Sequence, residues 1–152
     1  MGYEVNPPVH RVIFVGARED TMRHAAALYQ VCRKRRQVPA FFESRTMAGV
    51  NQQLQRITMP TCVIAFGPSS QEVYDMVRRN HPAVKMLRLL DSGAPEPEFS
   101  FSYLHQILPF PQAEKDYERI ASWMGLHERC AEKDRFTEDL HGGGSISTEL
   151  LE

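Results

Sequence analysis

TCVIAFGPSS, residues 61–70, is the stretch on which the fold turns. Five of its first six residues are apolar, and Val63 and Ile64 are β-branched. A run this short and this continuous reads as a strand buried on both faces, the kind found in parallel sheets covered by helices. Gly67 and Pro68 end it abruptly. Ser69 and Glu72 then have the spacing of a capping box, so a helix is expected at once. A buried strand that turns directly into a helix is half of a βαβ unit.

The same alternation extends in both directions. RVIFVG (11–16) is a second buried run, and Met22, Ala25, Ala26, Tyr29 and Cys32 follow it at helical spacing, with Asp20 or Thr21 as the expected cap. VPAFFES (38–44) reads as a strand. Val50, Leu54 and Ile57 mark a helix that ends near Pro60. After 61–66 come a helix carrying Val73, Met76 and Val77, a strand at VKMLRLLD (84–91) and a shorter one at LHQILPF (104–110). Tyr117, Ile120, Ala121 and Met124 define a last helix, stopped near Gly125. Five strands alternating with helices predict a three-layer α/β sandwich. The expected sheet is parallel, in the flavodoxin-like order 2-1-3-4-5. The crossover SGAPEPEFSFSY (92–103) breaks the rhythm. Pro95 and Pro97 forbid a regular helix in its first half, so the fourth crossover helix is expected to be short or missing.

Composition narrows the function classes. The chain has 152 residues, 42% of them hydrophobic, and a net charge of −1. It fits one domain, and its charge exerts no global pull toward nucleic acid or anionic membrane. No run approaches the ~18 apolar residues of a membrane span, and MGYEVNPPVHR has no signal-peptide layout. Three cysteines, an odd number and far apart, argue against a disulfide framework and for a reducing, cytoplasmic setting. The expected division is an N-terminal extension (1–9), a domain (10–126) and a polar tail (127–152) with a triple glycine at 142–144. Such a tail is expected to be flexible. Its end, SISTELLE, sets Ile146, Leu150 and Leu151 among acids and could dock on binding.

Over residues 10–126 this layout resembles the receiver domain of bacterial two-component response regulators. EDTMRHAAAL resembles the opening of a receiver's first helix, and ILPFPQAEKDYERI its Lys-Pro-Phe segment and last helix. The catalytic set of that family is missing. Gly16 and Ala17 stand where receivers carry the acid pair that holds Mg²⁺. Phe66 or Gly67 stands at the phosphorylated aspartate, Asp91 or Ser92 at the Thr/Ser, and Leu108 at the lysine. Phosphoryl transfer needs a carboxylate nucleophile, a held cation and a cationic clamp. The resemblance therefore implies a pseudo-receiver: the fold without the phosphorylation, not an enzyme, with no catalytic residues.

Other motifs point less sharply. Glu19, Asp20 and Asp91 could gather a cation, but acids at a helix N-terminus are explained by the helix dipole. Ser69 and Ser70 could hold an anion, but capping explains them too. No Walker loop or GxGxxG is present, HERC (127–130) lacks a second zinc pair, and the histidines are scattered. No cofactor or metal is expected. The basic run Arg33, Lys34, Arg35 and Arg36 complements a helix C-terminus or meets an acidic partner; few aromatics are interleaved with it, which disfavours nucleic acid. In receivers the fourth helix, fifth strand and fifth helix form the common partner and dimer face. Here Phe99, Phe101, Tyr103 and Phe110 rebuild that face with aromatics, unless they cover the bare sheet. The expectation is a regulatory adaptor that binds another protein through these aromatics and the basic run, with homodimerisation through the same face open. The alternative is a domain that senses a small anion or nucleotide at the edge formed by 16–20, 67–70 and 91–93.

Overall fold

The computed structural model describes residues 7–56, 59–91 and 103–127. Five parallel strands run β1 (Arg11–Val15), β2 (Ala40–Ser44), β3 (Thr61–Phe66), β4 (Lys85–Leu89) and β5 (His105–Leu108). Among the described residues four helices accompany them: α1 (Arg18–Lys34), α2 (Met47–Gln55), α3 (Ser70–Asn80) and α4 (Glu114–Trp123). The sheet order is β2-β1-β3-β4-β5, the flavodoxin-like arrangement expected from the alternation. Residues 92–102 of the β4–β5 crossover, with Phe99 and Phe101, lie outside the described residues, as do the tail beyond 127 and Cys130.

The two-residue side-chain period of each strand divides the core into two layers. Val12, Phe14, Cys62, Ile64, Phe66, Leu87 and Leu89 face α1 and α4. Ile13, Val15, Val63, Ala65 and Met86 face α2 and α3. All six residues of β3 are buried, which is why its sequence shows no alternation. β2 is an edge strand: Ala40, Phe42 and Glu43 are exposed.

The start and phase of α1 differ from the sequence reading. The helix begins at Arg18 with Ala17 as N-cap, ahead of the expected Asp20 or Thr21. Its buried face is Thr21, His24, Leu28, Val31 and Cys32. Of the expected stripe only Cys32 is fully buried; Met22 is 60% and Tyr29 41% exposed. The stripe is turned because His24 is drawn inward by a 2.8 Å hydrogen bond between Nδ1 and the Tyr117 hydroxyl. The Ser69 expectation is also corrected. It is the N-cap of α3, but its side chain makes no capping bond. The capping oxygen of α2 is Thr46 Oγ1, which accepts from the Gly49 N–H at 3.0 Å. At α4 the Asp116 carboxylate accepts from the N–H groups of Gln112 and Ala113 at 2.8 and 3.0 Å.

Two helices close with the same C-terminal motif. After α4, Gly125 (φ 84°) donates to the Ser122 carbonyl and Leu126 to that of Ala121. After α1, Arg36 donates to Arg33 and Gln37 to Cys32, with Arg36 at φ 61°. Glycine accepts this left-handed conformation freely, whereas a Cβ makes it costly. Arg36→Gly is therefore expected to raise stability by about 0.5–1 kcal/mol, after allowance for glycine's greater freedom when unfolded. Urea melts of the two proteins check it; an unchanged or lower midpoint would show that the arginine's own contacts outweigh the backbone term.

Candidate functional site

Parallel sheets of this order bind ligands beyond the carboxyl ends of their strands, where the order reverses. Here that is the β1–β3 boundary, and a cleft of about 720 Å³ opens there. Its walls are the turns leaving β1, β2 and β3, at Gly16–Ala17, Arg45–Thr46 and Gly67–Ser69. The N-termini of α1, α2 and α3 converge on it. The N-cap residues of α1 and α3, Ala17 and Ser69, make no side-chain capping bond, and in α3 the Ser70 N–H donates instead to the Gly67 carbonyl at 3.1 Å. Arg18 and Arg45 stand on the rim with Asp20 and Glu72. Arg18 is paired with Glu43 at 3.2 Å, and Asp20 with Arg23. Ser70 is buried and accepts from Arg88 Nε at 2.8 Å.

Phe66 closes the floor of this cleft. A Cβ added to Gly16 would lie 2.3 Å from Phe66 Cε1, so the ring occupies the space a side chain at 16 would need. On its other side the ring packs edge-on against His24 at 4.8 Å. The place that the receiver resemblance gives to a phosphoryl acceptor is thus filled by a buried aromatic, with glycine beside it. Leu108, at the lysine position, is half-buried at the end of β5. Glu19 and Asp20 sit in the first turn of α1, and Asp91 is exposed after β4. Among the described residues, no three His, Cys, Asp or Glu side chains are grouped to hold a metal ion. Burial raises the Cys32 thiol to about 11 and the Cys62 thiol as well, which leaves neither a ready nucleophile.

The basic run is divided by its surroundings. Lys34 pairs with Glu114 at 2.5 Å. Arg35 donates to the carbonyls of Leu126 (2.6 Å) and Glu118 (3.2 Å) and to Ser122 Oγ (3.0 Å), so it neutralises the C-terminal end of α4. Arg33 is exposed in the last turn of α1, and Arg36 holds the turn that follows. These residues do not form one patch: Lys34 and Arg35 clamp α1 to α4.

The aromatics 103 and 110 are likewise separated. Tyr103 is 47% exposed but tethered. Its hydroxyl donates to the Trp123 carbonyl at 3.2 Å, its own carbonyl accepts from Trp123 Nε1 at 2.7 Å, and its ring lies 5.3 Å from Lys85 Nζ. Lys85 in turn donates to the Trp123 carbonyl at 2.7 Å, a second cation at the end of α4. Phe110 is half-buried against His24 and the Arg23 guanidinium, in a shallower groove of about 560 Å³ between α1 and α4.

A different apolar surface was missed in the sequence. Of seven exposed large apolar side chains among the described residues, Met22, Tyr29, Val38, Phe42 and Met47 lie on α1, the connection that follows it, β2 and the start of α2. Tyr29 packs edge-on against Phe41, which turns this flank of α1 toward the free edge of β2. The signal was present: Met22 and Tyr29 are seven apart, on one helical flank. Assigning that flank to the core concealed it.

No family model matches the chain, and no curated protein matches it. Among solved structures, a fragment of a candidate lipoprotein from Peptoclostridium difficile 630 superposes with a TM-score of 0.52 at 15% identity, covering 75% of this chain and 97% of that one. The likeness is one of fold. No helix among the described residues is long and apolar enough to cross a membrane.

Proposed function

We propose that this chain is a non-catalytic, receiver-like regulatory domain that acts by binding another protein. The observation that carries this reading is the apolar flank of α1 and β2. Tyr29 and Phe42, with Val38 just before the strand, leave apolar surface exposed at an edge strand, a feature typical of an interface. The aromatic floor at Phe66 supports binding without phosphoryl turnover. The two free, buried cysteines suit a reducing compartment, so the proposed location is the cytoplasm. The 95–111 segment remains a second contact region in this proposal, since Tyr103 keeps nearly half its surface open.

One observation favours a second reading. A cleft of about 720 Å³ with two arginines and converging helix N-termini is of ligand size and suits a small anion or nucleotide. One preparation separates the two. Affinity purification from the native cell should yield one stoichiometric protein that is lost when Tyr29 and Phe42 become Ser. If the partner is retained by that variant, the surface assignment is wrong. A rise in melting temperature with one member of a nucleotide panel, abolished by Arg45→Ala, would move the function to the cleft.

A further inference from the structure

Among the described residues, no strand pairs with the outer side of β2. Ala40 N–H donates to the His10 carbonyl, so in a regular strand the amides of Phe41 and Glu43 point away from β1. Side chains flank this row on both faces of the sheet. Phe41 and Tyr29 lie toward α1, and Phe42, with Arg11's guanidinium 4.4 Å from its ring, lies toward α2. Basic groups stand at the beginning of the strand: Arg11 beside it, and Arg33 and Arg36 on the approach from α1. An added strand with alternating apolar residues and a negative charge would fit such an edge.

We propose that the occupant of this edge is the chain's own segment 145–152, SISTELLE. The idea rests on the reading of the α1–β2 flank as the partner surface, and it adds self-masking of that surface. Three observations favour this segment. The described chain ends one strand in from the edge, at the start of β1 and the end of α1: Leu126's carbonyl accepts from Arg35, Met124's accepts from Val9 N–H, and the next residue, His10, accepts from the first residue of β2. The connection is long enough, because the residues between His127 and Ser145 can span ~55 Å at about 3.3 Å each, more than the width of a domain this size. The pattern is complementary. In an extended segment Ile146, Thr148 and Leu150 share one face, suited to Phe41 and Tyr29, while Glu149 and Leu151 share the other, suited to Arg11 and Phe42. Docked at this edge, Glu149 and Glu152 would meet the basic groups at the beginning of β2, and the segment carries no base.

Hydrogen exchange on the full chain at low micromolar concentration tests this. Wild type should protect 146–151 at least tenfold over random-coil rates. Leu150→Asp with Leu151→Asp should abolish that protection and accelerate exchange in 40–44 at least threefold. Neither substitution removes a described core residue, and a urea midpoint close to that of wild type shows that the fold is kept. Random-coil exchange of 146–151 in wild type overturns the proposal. So does protection that grows with protein concentration, which would make a second copy the occupant, and so does protection that survives Phe42→Ser, which would place the segment elsewhere. Capture of a partner through Phe42 by the Leu150→Asp, Leu151→Asp protein would leave the interaction reading standing even where self-docking fails.

Discussion

Acidification from pH 7 to 4 is expected to remove about 2–3 kcal/mol of stability through His24 alone. The side chain is 1% exposed. Burial lowers its pKa from 6.5 to about 4, Arg23 pushes in the same direction, and Asp20 opposes them. Nδ1 is hydrogen-bonded to Tyr117, Nε2 has no partner among the described residues, and the rings of Phe66 and Phe110 lie against it. A charged imidazolium would be poorly solvated there. The folded pKa lies below the unfolded one, so between pH 6.5 and 4 the unfolded chain binds the extra proton. The stability is complete above 6.5 and is lost as pH falls toward 4. The full difference corresponds to about 3.4 kcal/mol, reduced here for solvent reaching Arg23 and Asp20. Urea melts at pH 7, 5.5 and 4.5 should show this slope in wild type. A variant with His24→Leu and Tyr117→Phe, which leaves no polar atom unpaired, should lack it. Equal slopes in both proteins would assign the acid sensitivity to other groups.

The second large effect concerns the floor of the cleft. Phe66→Ala is expected to cost about 3–5 kcal/mol, the usual range for removing a buried ring. Gly16→Ala should cost about 1–3 kcal/mol, because its methyl would overlap the Phe66 ring and the ring is held from behind by His24. The two penalties share one cause, so they should not add. With Phe66 already alanine, Gly16→Ala should be nearly neutral, giving a coupling of at least about 1 kcal/mol. Denaturant melts of the four proteins measure the cycle. Additivity within about 0.5 kcal/mol would mean that glycine is needed at 16 for a reason other than the ring.

These two sites show why the sequence was legible in some places and opaque in others. Thr61–Phe66 could be read as a central strand because every neighbour of such a strand is apolar, and Arg11–Val15 for the same reason. The face of α1 could not be read. Met22, Ala25, Ala26 and Tyr29 form as good a stripe as the true one, and hydropathy counts a histidine as polar. His24 is buried because Tyr117, 93 residues later, supplies its hydrogen bond. The same limit applied to Arg35, whose partners on and after α4 lie 83–91 residues away.

Local periodicity, turn residues and strand length were enough to determine a parallel sheet, its order and the absence of receiver-type acids, since each is a property of neighbours along the chain. Which helix face is wet, which arginine is a clamp, and where an apolar surface remains open were decided only when distant segments met. Burial and hydrogen bonding depend on what lies across a gap in space, and chain order records that only indirectly.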